Sequence, residues 1–319
     1  MASSPSAQSQ SFTIDLHAKE MGRIPFPVLS MPIQFTSHIH KGPSDLKQER
    51  IERIYTFPLP SPNTMKALET NDRITRAAIR VTEQTSFDLD KKVWDSGIGL
   101  SSWLVNLAHN EIVSLSNEAP NLDTIKALID ALRDSLFANQ PRCIIELGAG
   151  TGVVALTIAT LRRALTTIEG LQGHVITTDL PSAMPLLEHN IHSNARLFLD
   201  CSRAMPEAAV LDWDSDEIPD FIQVVAKERT SKGFTAIVMA DVAYNTSSFP
   251  SLVRTLSRLV KLSEKPPLIL LGYKERDPAE RDLWNMAKDV AGIDFSLVGT
   301  KSGMRDPPIE IWIGQVMND

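Results

Sequence analysis

A run of glycines stands where a strand should end: Glu146-Leu147-Gly148-Ala149-Gly150-Thr151-Gly152. Glycine permits a tight turn and lets a ligand approach the backbone closely. A helix that follows such a turn points its N-terminus at the ligand, which favours an electron-rich group. Spacing separates the known glycine loops. The dinucleotide pattern G-x-G-x-x-G, counted from Gly148, needs a third glycine where Val153 stands. A P-loop needs Gly-Lys-Ser/Thr, and none follows. The pattern here is E-x-G-x-G-x-G. The next acidic strand end, Asp179, lies 27 residues after Gly152. A carboxylate there can accept both hydroxyls of a ribose. Downstream, Asp241-Val242-Ala243-Tyr244 sets a carboxylate three residues before a phenol, while Trp94 and Trp213 offer flat apolar rings.

The elements that must hold these residues alternate between strand and helix. Ala78–Glu83 alternates like a strand. Val93–Leu107 reads as a turn entering a helix, with Leu100, Leu104 and Leu107 on one face. Arg142–Leu147 is a strand that ends in the glycines, and Val154, Ile158 and Leu161 stripe the helix after it. His174–Asp179 is a second strand; Met184, Leu187 and Ile191 mark its helix, with Pro181 in the first turn. Ala208–Leu211 is a short third strand. Phe234–Ala240 is continuously apolar, as a strand buried on both faces would be. Phe249 to Val260 is amphipathic. Pro267–Gly272 is a fifth strand, Pro278–Val290 a helix, and Phe295–Val298 pairs with Ile309–Val316 as a terminal antiparallel hairpin. The fold class expected is α/β: a mostly parallel sheet with helices on both faces and an antiparallel C-terminal hairpin. Ligands bind such sheets at the carboxyl ends of the strands, near the switch point.

Composition bounds the function. The chain has 319 residues, 43% of them hydrophobic and 22% charged, enough for a large soluble core. No apolar run approaches the ~18 residues of a membrane span, and Met1–Ser11 has no apolar signal core, so the cytoplasm is the expected compartment, with the nucleus as the alternative. Net charge is −7, and residues 1–90 are balanced at ten basic and ten acidic side chains. The main domain is therefore acidic, which argues against binding a phosphate backbone. Cys143 and Cys201 form neither a disulfide framework nor a zinc site. Residues 1–65 read as an N-terminal extension, partly disordered and Pro-rich; residues 66–319 read as one domain. Prolines between 24 and 64 argue against long helices and central strands, leaving a short polar helix over Ser44–Ile54. His38 and His40 would share one face of a strand. His189 and His192, three apart on a helix, have the spacing of two metal ligands but lack an evident third.

E-L-G-A-G-T-G after a first strand, with an acid ending the second, resembles the S-adenosylmethionine site of the seven-strand methyltransferases. Val93-Trp94-Asp95-Ser96-Gly97 before the first strand, Leu211-Asp212-Trp213 after the third and Asp241-Val242-Ala243-Tyr244 after the fourth narrow the match. Together they resemble methyltransferase family 16, which contains the non-histone protein-lysine methyltransferases, over about residues 78–319. The resemblance implies a seven-strand Rossmann-like sheet and S-adenosyl-L-methionine as cofactor. Trp94 and Gly148-Ala149-Gly150 would line it. Asp179 would hold the ribose hydroxyls, Leu180 would lie beside the adenine, Trp213 would pack on its face, and Ala240 would close the pocket. Glu146 would orient the methionine end or the glycine loop. Asp241 and Tyr244 would face the methyl-accepting group, Asp241 positioning it rather than taking its proton.

Each residue also has a plainer reading. The glycines serve as a bare strand–helix turn, the tryptophans and Tyr244 as packed aromatics, Asp241 as a helix N-terminal acid, and Lys274-Glu275-Arg276 as a solvated loop. The leading expectation is transfer of a methyl group to a protein side chain, a lysine ε-amine, by a monomer that engages neither nucleic acid nor membrane. A small-molecule N-methyltransferase on the same fold and a cofactor-binding scaffold without turnover are the alternatives. Acceptor choice lies in loops, which the fold does not fix.

Overall fold

The computed structural model describes residues 10–12, 34–40, 50–60, 76–84, 91–111, 122–227, 232–302 and 307–317. Four antiparallel strands come first: β1 (Gln10–Phe12), β2 (Gln34–His40), β3 (Arg50–Pro58) and β4 (Arg76–Gln84), paired in that order. In β4 alternate residues Ala77, Ile79, Val81 and Glu83 are buried while Arg76, Ala78 and Arg80 are exposed, the period of a half-buried sheet. Tyr55 and Phe57 of β3 are buried with Ile79 and Val81 in the main core. The helix expected over Ser44–Ile54 is not formed at Arg50–Ile54, which pair with β2 and β4; Ser44–Glu49 lie outside the described residues. Nor do the prolines exclude a central strand, because β3 has none before its last residue, Pro58.

Seven further strands make the main sheet. In chain order they are β5 (Cys143–Leu147), β6 (His174–Asp179), β7 (Glu207–Val210), β8 (Ala236–Ala240), β9 (Leu268–Tyr273), β10 (Ile293–Lys301) and β11 (Ile309–Val316). Their spatial order is β10-β11-β9-β8-β5-β6-β7. β7, β6, β5, β8 and β9 run parallel, β11 runs antiparallel to β9, and β10 pairs antiparallel with β11 as the terminal hairpin that the sequence leads one to expect. The order reverses at β5, whose Ile145 lies opposite Ile176 of β6 and Ile237 of β8. That is the switch point, and the glycine loop leaves from it.

Helices cover both faces. α1 (Asp95–Ala108), α2 (Leu122–Phe137) and α3 (Val153–Leu165) place Leu104, Leu132 and Leu156 in a core that also holds Ile144, Val238 and Leu270. After α4 (Met184–Ser193), the opposite face receives α5 (Asp220–Ala226), α6 (Phe249–Lys261) and α7 (Asp282–Ala291), whose Ile222, Leu252 and Leu283 join Ile145, Ile237 and Ile269. Adjacent residues of β5 thus serve opposite cores, which is why the strand reads as continuously apolar. Burying each such side chain stabilises by roughly 1.5–3 kcal/mol.

Two asparagines join the sheets. Asn190 on α4 and Asn194 at its C-terminal cap, one turn apart, present their amides to the backbone of β4. Asn190 Oδ1 accepts from the Thr82 N–H at 2.8 Å and its Nδ2 donates to the Thr82 carbonyl at 3.0 Å. Asn194 does the same with Arg80, at 2.8 and 2.6 Å. The second donor of Asn190 reaches the Thr151 carbonyl, in the glycine loop, at 3.0 Å. His189 Nε2 lies 3.3 Å from the Thr82 hydroxyl, and His192 Nδ1 lies 2.7 Å from the Glu188 carbonyl.

Candidate active site

Where β5, β6, β7 and β8 end, a cleft of about 910 Å³ opens. Its walls include all eleven residues singled out in the sequence: Trp94, Glu146, Gly148, Ala149, Gly150, Asp179, Leu180, Trp213, Ala240, Asp241 and Tyr244. They come from five separate segments, brought to one edge of the sheet by the parallel strands.

The glycine loop forms the floor. Gly148 has φ of +64°, and a Cβ there would stand 2.9 Å from Val242 Cγ1 and 3.3 Å from the Trp213 ring. Gly152 has φ of +77°, and a Cβ there would stand 2.6 Å from Leu187 Cδ1 of α4. Both need the left-handed backbone and the missing side chain at once. The loop is tied to β6: the Ala149 N–H donates to the Thr178 carbonyl at 3.0 Å, and the Gly150 N–H donates to Asp179 Oδ2 at 2.6 Å. Asp179 Oδ1 accepts from the Leu180 N–H at 2.7 Å. Asp179 therefore shapes the loop as well as facing the cleft.

Glu146 is buried beneath the loop. Its Oε2 accepts from the Thr177 hydroxyl at 2.7 Å. Burial pushes its carboxyl up to about 8, against the lowering effect of that hydrogen bond, and the nearby Asp179 charge adds to the rise. At neutral pH the neutral acid is favoured, so Glu146 acts in the cleft as a hydrogen-bonding group more than as a charge.

Asp241 ends β8 in a left-handed conformation, φ 62°, unusual for a side chain with a Cβ. Such strain persists where surroundings over-determine it. The Asp241 N–H donates to the Gly272 carbonyl at 2.9 Å. Its carboxylate, almost wholly buried, takes Arg276 in a two-pronged ion pair, Nη1 to Oδ1 at 2.7 Å and Nη2 to Oδ2 at 2.6 Å, and Ser96 Oγ donates to Oδ1 at 3.1 Å. The same guanidinium lies over the Trp94 ring, 5.5 Å from its centroid. Lys274 pairs with Asp95 at 2.6 Å. Lys274 and Arg276 are thus not merely a solvated loop. Arg276, Ser96 and Asp95 are the residues that sequence reasoning missed as parts of the site. Lys274-Glu275-Arg276-Asp277 reads as a polar connector, because the partners of its cations lie 35 and 179 residues away.

Trp94 and Tyr244 stand at the rim, 36% and 52% exposed, and Trp213 is half-buried against Gly148. Among the described residues no group of three His, Cys, Asp or Glu side chains could hold a metal ion.

The family model described as lysine methyltransferase matches residues 74–290. The chain belongs to this family. Within curated proteins it is similar to EEF1A lysine methyltransferase 3 of Xenopus tropicalis, at 27% identity over 46% of this chain and 54% of that one. It is similar to protein-lysine N-methyltransferase EFM6 of Saccharomyces cerevisiae, at 32% identity over 49% and 61%. To protein-lysine methyltransferase METTL21E of Mus musculus it is 32% identical over 37% and 41%. The matched stretch thus spans between 41% and 61% of these relatives' lengths. The strands before residue 74, β1, β2 and β3, lie outside the matched region.

Proposed function

We propose that the protein transfers a methyl group from S-adenosyl-L-methionine to a lysine ε-amine of a non-histone protein. The observation that carries the reading is the convergence of all eleven residues on one cleft at the switch point of the sheet. The cleft fits the cofactor: Gly148 lines it with a left-handed turn and no side chain, and the Trp213 ring stands beside that turn, 3.3 Å from where a Cβ would lie. The cofactor supplies an electrophilic methyl group on a sulfonium. Gly148, Ala149 and Gly150 would hold its methionine end, Asp179 its ribose hydroxyls, and Leu180 and Trp213 its adenine, with Ala240 closing the floor and Glu146 orienting the loop through Thr177.

The chain's remaining task is alignment of the acceptor with the methyl group, which makes their encounter effectively intramolecular. Tyr244 and Trp94 flank the route to Asp241 with aromatic faces that suit an aliphatic amine chain. Asp241 positions the amine. A rim built from exposed rings supports a long side chain carried on a macromolecule. We propose further that residues 1–65 form an extension to a methyltransferase domain of residues 66–319, and that the protein works as a monomer in the cytoplasm, the nucleus being the alternative, with neither nucleic acid nor membrane as partner. No helix among the described residues is long and apolar enough to cross a membrane.

The test is incubation with cell extract and radiolabelled S-adenosylmethionine beside an Asp241→Ala control. A discrete band that resists nuclease, disappears in the control and hydrolyses to methyl-lysine is the expected result. Label confined to low-molecular-weight material would overturn the protein acceptor.

A further inference from the structure

Resting on the reading above, we propose that Arg276 is a positioning residue that holds Asp241 as a charge-compensated pair, so that the acceptor lysine is taken up as a neutral amine. A lysine must be neutral to attack, yet its unperturbed pKa is ~10.4. A lone buried carboxylate beside it would favour the ammonium and oppose the reaction. Here the carboxylate is not alone.

Three observations show that the pair is built to stay. The guanidinium engages both oxygens of Asp241, at 2.7 and 2.6 Å. The loop that carries it is pinned from below by Glu280, itself buried, whose Oε2 accepts both the Arg276 N–H at 3.1 Å and the Tyr273 hydroxyl at 2.9 Å. Lys274, two residues earlier, is tied to Asp95 at the start of α1. Lone-pair counting gives the geometry of uptake. A carboxylate offers about four acceptor places. Oδ1 is filled by Arg276 and Ser96, and Oδ2 takes one bond from Arg276. One place on Oδ2 is left, enough for a single N–H of an amine.

The other charges near the pair do not supply this compensation. Lys274 is matched by Asp95, and Glu280 faces the Arg276 backbone. Lys92 lines the cleft ahead of α1, Tyr244 stands at the rim on the turn after β8, and Glu146, Asp179, Asp212 and Asp214 line the cleft from β5, β6 and the loop after β7. In the reaction the amine lone pair forms the new N–CH3 bond while the S–CH3 bond breaks with its electron pair left on sulfur as a thioether. The proton shed when the ammonium enters goes to bulk water, and the positive charge ends on the methylated nitrogen.

The experiment is the pH dependence of kcat and KM for Arg276→Gln and Arg276→Lys, on whichever member of a lysine-peptide array the wild-type protein labels best. With Asp241 uncompensated, Arg276→Gln should move the acid limb of kcat about one pH unit or more upward. KM at neutral pH should fall while kcat falls. Arg276→Lys, which keeps the charge, should leave the limb near its wild-type position. An unmoved limb with lower kcat would reduce Arg276 to a structural role. A higher kcat together with a lower KM at every pH would make it a competitor that the lysine displaces. Either result overturns the proposal. If Arg276→Gln does not fold, Asp241→Asn should move the limb the opposite way, and no movement refutes the idea. Thermal shift with S-adenosylhomocysteine and n-butylamine reads the same point without turnover: binding should tighten from pH 7 to pH 10 in the wild type and be stronger at pH 7 in Arg276→Gln. The reverse order, or no binding to either form, overturns the proposal. Wild-type protein that labels no peptide but follows the expected butylamine pattern would instead refute the methyltransferase reading alone.

Discussion

Asn190 is fully buried and makes three bonds with its one amide: two to Thr82 in β4 and one to the Thr151 carbonyl in the glycine loop. Asn190→Ala removes all three. A hydrogen bond contributes roughly 1 kcal/mol net, and a buried group left without a partner costs about 1–3 kcal/mol. Thr82 is half-buried, so water partly replaces the lost amide there, whereas Thr151 is buried. The expected loss is about 3 kcal/mol, or roughly 6–12 °C in melting temperature for a domain of this size. Urea denaturation reads it as a lower midpoint at unchanged slope. Asn194→Ala is the matched control, since Asn194 makes the equivalent bonds to Arg80 but none to the glycine loop. Both variants should lose stability. Only Asn190→Ala should also bind S-adenosylhomocysteine several-fold more weakly at a temperature where both are folded. A loss under about 1 kcal/mol would refute the reasoning about buried amides. Equal affinities in the two variants would refute the link between β4 and the loop.

Three further outcomes follow from the cleft. The raised carboxyl of Glu146 means that the folded protein keeps a proton which the unfolded chain has released; its contribution to stability is complete below the ordinary carboxylate range and declines as pH rises towards about 8. Glu146→Gln should therefore gain on the wild type between pH 5 and pH 8 in urea denaturation, and a constant difference would count against the buried-acid account. Gly148→Ala must adopt φ of +64° with its Cβ 2.9 Å from Val242, so it should lose at least about 1–2 kcal/mol and most of its thermal shift with S-adenosylhomocysteine; an undiminished shift would mean that the turn tolerates a methyl group. Asp179→Asn weakens two charge-assisted bonds from the Gly150 and Leu180 N–H groups, each worth about 1.5–3 kcal/mol. A ten-fold or greater fall in S-adenosylhomocysteine affinity is expected by titration calorimetry, and unchanged affinity would remove Asp179 from the cofactor site.

The parallel strands were legible because burial on both faces leaves a continuous apolar run, as in Ile144-Ile145 and Ile237-Val238-Met239. The glycine loop was legible because each backbone constraint demands one residue type. Other elements left weaker marks. α2 carries the signal of a helix in Leu128, Leu132 and Leu136, all buried, but its acids, Asp123, Asp130 and Asp134, follow no glycine turn and end no strand. β3 lies in a proline-rich stretch, so its neighbours hide it. Arg276 is invisible for a different reason. An arginine has the same chemistry in a solvated loop as in an ion pair, and what distinguishes the two is a carboxylate brought near by β8 and β9 lying side by side. Likewise Asn190 and Asn194 look like ordinary polar residues of a helix until the edge of β4 lies against them.

β4, with β3 beside it, therefore belongs to the site even though neither carries any of its motifs. Glu83 occupies an inward position of β4, where alternation calls for an apolar residue, and it is almost fully buried. Such a carboxylate needs partners. One oxygen is paired with Arg53 of β3, and the other accepts the Val93 N–H at 2.9 Å. Val93 is followed by Trp94, on whose ring the Arg276 guanidinium rests. The same strand, through Asn190, holds Thr151 in the glycine loop. β4 thus fixes two parts of the cleft, the aromatic rim at Trp94 and the turn at Thr151, with β3 supplying the countercharge. A sheet attached by packing alone could be shed without altering the cleft. Here Glu83 of β4 binds the Val93 N–H, and Asn190 of α4 bridges β4 to the Thr151 carbonyl, so the strand fixes where both parts of the cleft stand.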